Sequence, residues 1–329
     1  MKQSYRATLA GLGLALAALT VHAAPTVYIP LGSGNKVIAV DAASDRITST
    51  YDGVKNPHGL VATPDGEYLI VGSLTETPVP QGSPVETPNS MLYVVHPAHG
   101  HVMSTIPVAG WTHHQAITPD GKYVISTHPT RGGVSVVDVA ENRVVRTVKT
   151  GPAPNYSLVT ADGKRIFVSN SGNGTISEID TATWEVRRTL EGGSSPEHLV
   201  MDEARDRIYA ASGRTGQVSA ISIETGKIVR SYDLGKRLHG LDIGDDGTTL
   251  FITVISDEKL VALNPDTGAI RSQLLAPAPY HLGAVRGTGK LYVSSRKQPK
   301  IWVVDQKTLE VTGTIELPAG EGHQIGVVR

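Results

Sequence analysis

Seven histidines recur at or beside one position, each just ahead of a short apolar stretch. They are His58 in Asn-Pro-His-Gly, His113 and His114 in Trp-Thr-His-His, His198 in Pro-Glu-His, His239 in Arg-Leu-His-Gly, His281 in Pro-Tyr-His and His323 in Glu-Gly-His. An eighth, His128 in Ser-Thr-His-Pro, follows the next apolar stretch. Imidazole is the commonest protein ligand of transition metals, and several gathered in one concave site suit copper, zinc or nickel. The chain has no cysteine, which excludes blue-copper, thiolate-zinc, iron–sulfur and covalent c-type haem sites. Any metal is therefore held by nitrogen and oxygen. Glu197, beside His198, is placed as a further ligand, as an acceptor fixing an imidazole tautomer, or as a plain polar loop residue.

Counting back from the Asp-Gly turns separates these histidines into two adjacent registers. His58, His113 and His239 precede the turn aspartates Asp65, Asp120 and Asp246 by the same interval, while His114 and His198 fall one residue later. His281 and His323 align with the second register. Neighbours on a regular strand point to opposite sides, so both registers converge only if the segment is loop. Three or four imidazoles are then expected to share one ion. Duplication of one ancestral loop histidine would produce the same spacing without any metal, although Asn155-Tyr156 breaks the series in one repeat. His96, His99 and His101 form a separate His-x2-His-x-His group, a spacing able to chelate loosely.

Other chemistry is thinly represented. There is no Gly-x-Ser-x-Gly elbow and no phosphate-binding loop. Gly320-x-Gly322 precedes no helical pattern, so it is not a dinucleotide motif. Asp65, Asp120, Asp162 and Asp246 read as turn formers. The formal net charge is −1, without a block of like charge, and predicts neither nucleic-acid nor anionic-membrane binding.

The elements that must position the histidines are written as repeats. Trp111 to Gly151, Pro152 to Gly193, Ser194 to Gly235, Lys236 to Ala278 and Pro279 to Pro318 are each about forty residues long with one internal order. Each holds an apolar strand, a tight turn such as Thr118-Pro119-Asp120-Gly121, a second strand, a Gly/Asn-rich turn, and third and fourth strands. Four antiparallel strands at this period make a propeller blade. A first blade begins near Asn56 and carries a Pro-rich insertion from Leu74 to Ser90. Three spare strands, Thr26 to Pro30, Lys36 to Ala42 and Arg46 to Tyr51, complete a seventh blade with the single strand left at the C-terminus. The fold class is thus all-β, a seven-bladed β-propeller of four-stranded blades closed by pairing both ends of the chain.

Residues 1–23 read as an export signal: Lys2 and Arg6, an apolar run from Ala7 to Thr20, then Val21-His22-Ala23. The run is too short for a membrane span. Its removal takes Lys2, Arg6 and His22 with it and leaves residues 24–329 as one periplasmic domain with net charge −3.

Phe167-Val168-Ser169-Asn170, followed by Gly-Asn-Gly, Ile179-Asp180-Thr181 and Gly193, with a looser copy at Lys290 to Ser295, resembles the YVTN-type (YncE-like) seven-bladed propellers of exported bacterial proteins. The resemblance covers nearly all of the mature chain and implies the fold; such scaffolds host many activities. In propellers of this kind the loop entering the innermost strand and the loop joining strands two and three open on one face. His58, His113, His114, His128, His198, His239, His281 and His323 are therefore expected there together, with the insertion as a partial lid and Trp111, Tyr156, Tyr280, Arg131, Arg214 and Arg296 nearby. His96, His99 and His101 fall on the opposite face.

Four functions fit this reading. A copper- or zinc-binding propeller for periplasmic metal handling leads. A copper oxidoreductase served by a separate electron carrier follows, since nitrous-oxide reductase and thiocyanate dehydrogenase are similar in carrying all-histidine copper at a propeller mouth. A haem-type tetrapyrrole handler is the third, similar to the propellers of cytochrome-type nitrite reductases. The fourth is a metal-free scaffold for a protein or small ligand.

Overall fold

The computed structural model describes residues 25–328; the export-signal reading lies outside them. These residues form seven four-stranded antiparallel sheets. In each regular blade the second and third strands carry runs of β-branched and aromatic residues, as in Arg165–Asn170 and Thr175–Asp180, and are buried on both faces. The fourth strands alternate or face solvent throughout, as Ile270–Leu274 does. This gradient fixes the radial order of each sheet, with the first strand innermost. Core clusters join facing sheets of successive blades: Phe167 and Ile176 of blade three pack with Leu199, Ile208 and Ile221 of blade four.

The ring closes as the sequence implies. Thr26–Leu31 pairs with Lys36–Asp41 on one side and with Gly326–Val328 on the other, in the order C-terminal strand, then the three N-terminal strands. Closure leaves no free inner edge. A polar clamp crosses the adjoining blade boundary, where Lys290 Nζ lies 2.7 Å from Asp45 Oδ2 and the Tyr292 hydroxyl donates to Asp45 Oδ1 at 2.5 Å. No helix among the described residues is long and apolar enough to cross a membrane.

The Asp-Gly turns are structural, as expected. Asp65, Asp120 and Asp162 each accept a hydrogen bond from a threonine hydroxyl two residues earlier and from a backbone N–H two residues later. These bonds hold all three carboxyls below the usual range.

Deleting residues 326–329 removes the closing strand and exposes the edge of Thr26–Leu31. The melting temperature followed by circular dichroism should fall by roughly 5–10 °C, with increased self-association by light scattering. An unchanged melt would show that the last strand does not close the ring.

Candidate metal centre

Four of the seven histidines sit on bulged strands, His58, His198, His239 and His281, while His113 and His114 precede the strand Gln115–Ile117 and His323 precedes Gly326–Val328. In blade one Pro57 pairs with Ser73 and Leu60 with Val71, so the inner strand carries one extra residue across His58-Gly59. The same insertion occurs across Asn155-Tyr156, Glu197-His198, His239-Gly240 and Tyr280-His281. Blade seven repeats it between Gly322, paired with Leu31, and Gly326, paired with Tyr28. A bulge sets two residues against one and re-aims their side chains, so His58, His198, His239 and His281 converge from strands, while His113, His114 and His323 lie in loop, as expected. His323 directly follows the Leu31-paired Gly322, which places it in the first register with His58 and His239, not the second.

A hydroxyl on the second strand staples these bulges. Thr127, Ser169, Thr253 and Ser294 accept the backbone N–H of His114, Tyr156, Gly240 and His281, at 2.8–3.2 Å. Three of them also donate across to the next blade's bulge: Thr127 to the Asn155 carbonyl, Ser169 to that of Glu197 and Thr253 to that of Tyr280. Sequence reading missed these residues. Their signal was a Ser or Thr one place from the end of each apolar second strand. The His-Gly pairs have a related cause: a Cβ at Gly59 would stand 2.5 Å from the His113 carbonyl oxygen, and one at Gly240 2.7 Å from that of Tyr280. Both glycines let the following blade's bulge approach.

All seven histidines meet in one cluster, more than the three or four expected. His58 stacks on His113 at a centroid separation of 4.2 Å and touches His323 at 4.2 Å. His114 lies 4.9 Å from His198, which lies 4.5 Å from His239. His281 contacts His58, His198, His239 and His323 at 4.6–5.3 Å. Their ligand atoms group in threes within 4.8 Å: His58 with His113 and His114, His58 with His281 and His323, and His114 with His198 and His281. Six of the seven are buried, and His113 is partly exposed.

The protein fixes the free nitrogens. Nδ1 of His114 faces the Asn155 carbonyl at 3.1 Å and must donate to it, which leaves Nε2 as a lone pair. Blade three, without a histidine, thus contributes a backbone carbonyl. His239 Nδ1 lies 3.2 Å from Glu197 Oε2, and its Nε2 3.2 Å from His281 Nε2. Glu197 is in this structure an orienting acceptor, the arrangement that fixes metal-binding imidazoles. Glu321 Oε1 holds His323 Nε2 in the same way at 3.2 Å. His58 Nδ1 and Nε2, His114 Nε2, His198 Nε2 and His323 Nδ1 are buried without any partner.

Burial holds these imidazoles neutral. His58, His114, His198, His239 and His281 titrate well below the ordinary histidine value, first from desolvation and then from mutual repulsion. His113 is pushed down to about 4. The hydrogen bond with His323 pulls Glu321 down to about 2, whereas burial raises Glu197.

His128 stands apart from this cluster, contrary to the sequence expectation. It ends the strand Tyr123–His128, with Nδ1 on the Gly110 carbonyl at 3.2 Å and Nε2 on Ser135 Oγ at 2.9 Å. Asn170 fills the same blade position and reaches Ser177 in the same manner, while Ser73, Ser212 and Ser295 there bond the backbone of their own blade's entry loop. His128 is a loop fastener with an imidazole in place of an amide or hydroxyl. The insertion also differs from a lid. Val85, Glu86 and Pro88 lie against blade two beside His128 and Arg131, and Glu76 accepts from Trp111 N and Thr130 Oγ1. It braces the His113-His114 loop and leaves the mouth open. An open cleft of about 500 Å³ is lined there by His58, His113 and His323 with Trp111, Tyr280 and Arg296. Tyr156 packs on His114 and His198. His96, His99 and His101 form no tight ligand group among the described residues.

Comparison with known proteins agrees with this geometry at the level of fold. Residues 130–278 match the YNCE-like beta-propeller family. This stretch is YNCE-like propeller sequence. No curated protein matches the chain in sequence. Among solved structures, the periplasmic gluconolactonase PpgL of Pseudomonas aeruginosa is 18% identical with a TM-score of 0.74, over 93% of this chain and 99% of that one. Hydrazine synthase of Kuenenia stuttgartiensis is 19% identical with a TM-score of 0.65, over 76% of each chain. Dihydro-heme d1 dehydrogenase NirN is 14% identical with a TM-score of 0.67, over 92% of this chain and 65% of that one. At these identities the chain shares a fold with them and nothing finer.

Two outcomes follow, one for the Thr253 hydroxyl and one for His128. Thr253→Val leaves the Gly240 N–H and the Tyr280 carbonyl without their hydroxyl partner, and should cost about 2–3 kcal/mol in urea unfolding; a loss below about 0.5 kcal/mol would contradict the staple. His128 is buried and pushed down to about 4. Its folded pKa is below its unfolded value, so the stability it supports is present above pH 6.5 and lost as pH falls toward 4. His128→Asn, copying Asn170, should fold and show a smaller drop in melting temperature between pH 6.5 and 4 than the parent.

Proposed function

We infer that this exported-type propeller binds a transition metal, copper or zinc, through the histidines at the mouth of its axis, and acts in periplasmic metal handling. The observation carrying this reading is the convergence of His114, His198 and His281, whose ligand atoms lie within 4.8 Å of one another, with Nε2 of His114 and of His198 buried and unpartnered. Leaving such nitrogens dry and unbonded costs about 1–3 kcal/mol each, and a bound cation offsets that cost. His239 is the fourth candidate, since its Nε2 stands 3.2 Å from that of His281. Two nitrogens each bonded to a tetrahedral ion at about 2.0–2.1 Å stand about 3.3–3.4 Å apart.

The chain's own residues supply the rest. The Asn155 carbonyl and Glu197 hold His114 and His239 by Nδ1, and burial keeps the imidazoles unprotonated, the form that ligates. An all-imidazole set accepts copper ahead of zinc wherever geometry permits. A bound ion would supply Lewis acidity, or electron transfer if it is copper, and access runs through the open cleft. The tetrapyrrole reading is less favoured because the rings touch one another and leave no flat slot between them; a macrocycle would have to lie in the cleft above.

Untagged protein from the periplasm should carry copper or zinc in stoichiometric amount by elemental analysis. Joint replacement of His114, His198 and His281 by alanine should remove at least one equivalent while the far-ultraviolet circular dichroism is retained. Metal content unchanged by that replacement would sink the reading.

A further inference from the structure

We propose that the cluster carries a single metal ion between two positions: the ion is captured beneath the cleft by His58, His281 and His323 and passed inward to His114, His198 and His281. The proposal rests on the metal-binding reading above and adds the route by which the ion arrives and leaves. The convergent ligand atoms form three groups of three, and any two groups have one histidine in common, His58, His114 or His281. A neutral imidazole has one lone pair, so a common histidine serves one ion at a time. The groups are therefore alternative places for the same ion.

Access ranks them. His58, His113 and His323 line the cleft, whereas His114, His198 and His281 do not. Two groups thus have members at the entrance, and the third has none. Ring orientation chooses between the two. An ion bonded to an imidazole nitrogen lies close to the plane of that ring, so two rings share an ion only where their planes meet. His58 and His113 are stacked, 21° apart in plane and 4.2 Å apart in centroid, and such nearly parallel planes meet only well outside both rings. The planes of His58, His281 and His323 are inclined to one another at 45–74°, and those of His114, His198 and His281 at 52–80°. His113 is accordingly a wall of the entrance, with its Nδ1 facing the Asn155 carbonyl at 3.3 Å.

Unbonded nitrogens mark the same route. Both nitrogens of His58 are buried without a partner, as is Nδ1 of His323. Nε2 of His323 donates to Glu321 Oε1 at 3.2 Å, and Ser33 Oγ donates to the other carboxylate oxygen at 2.5 Å. Glu321 lines the cleft, so a carboxylate stands at the entrance and orients the imidazole beside it. Further in, Nε2 of His114 and of His198 are unpartnered, and His239 Nε2 stands 3.2 Å from His281 Nε2. The inner position thus offers a fourth imidazole and is where the ion rests. In the transfer, bonds from the ion to His58 and His323 break as bonds to His114 and His198 form.

The test uses untagged full-length protein, stripped with chelator and mixed with copper(II) alone. One copper per chain is expected by elemental analysis, and two would overturn the alternation. His323→Ala breaks the outer group and leaves the inner one whole. Because a step on the route is crossed in both directions, this variant should slow uptake of copper and its release to added EDTA alike, by about tenfold or more. Uptake within about twofold of the parent's, or faster release, would overturn the transfer and leave His323 a ligand or a structural residue. His198→Ala leaves the outer group whole and should still bind copper, which EDTA then removes about tenfold faster than from the parent. Copper as resistant as the parent's would overturn the inner resting position, and no copper bound would overturn the outer one. His99→Ala/His101→Ala should match the parent throughout; loss of copper there would place the ion on the surface histidines and overturn both readings. No copper in the parent would also overturn both, whereas copper bound with none of these rate changes overturns the transfer alone. Should His323→Ala unfold by circular dichroism, rapid freeze-quench paramagnetic resonance of the parent is the substitute: one copper(II) signal is expected on mixing and its conversion to a second, and a single unchanging signal would overturn the transfer.

Discussion

The site depends on one extra residue at the start of the inner strand in blades one, three, four, five and six. Without it, strand periodicity would send the first-register histidines to one side and the second-register histidines to the other. The bulge turns the two positions toward a common space. It persists because its backbone groups are satisfied: a hydroxyl of the second strand takes the bulge N–H and gives its proton to the next blade's carbonyl. Three such ties are made, from blade two to three, from three to four and from five to six, and there the inner segment is set by two blades.

That constraint explains how so much polar matter is tolerated at a buried site. Burying an imidazole costs least when it is neutral and its nitrogens are bonded; His58, with neither nitrogen bonded, is the exception. Asn155, Glu197 and Glu321 satisfy one nitrogen each of His114, His239 and His323. The nitrogens left over point at one another. Desolvation and repulsion lower the titration of His58, His114, His198, His239 and His281, and neutral lone pairs are what a cation requires. His128 shows the contrasting solution, with both nitrogens spent on protein partners.

The insertion and the closing strand serve the same end at longer range. Glu76 fastens the loop that carries the only adjacent pair of histidines, and the strand Gly326–Val328 fixes the segment that carries His323. The mouth is thus assembled from both termini and from six blades, which makes it rigid in proportion to the closure of the ring.

The sequence by itself determined the repeat, the seven blades, the joining of the two chain ends and the histidines that belong to one mouth. Periodic apolar strands and Asp-Gly turns are local signals, and the registers of His58, His113 and His239 could be counted from them. Tertiary structure decided the rest. His323 moved register because its blade has no Asp-Gly turn to count from and is paired with Leu31 at the other end of the chain. His128 left the site because its partners are the Gly110 carbonyl, in the loop after His101–Val108, and Ser135 on the neighbouring strand Gly133–Asp138, although its likeness to Asn170 in the motif position was there to be read. The size of the cluster was also invisible: strand alternation forbids it, and the bulges at His58, His198, His239 and His281, each a relation between two strands, add them to the loop histidines.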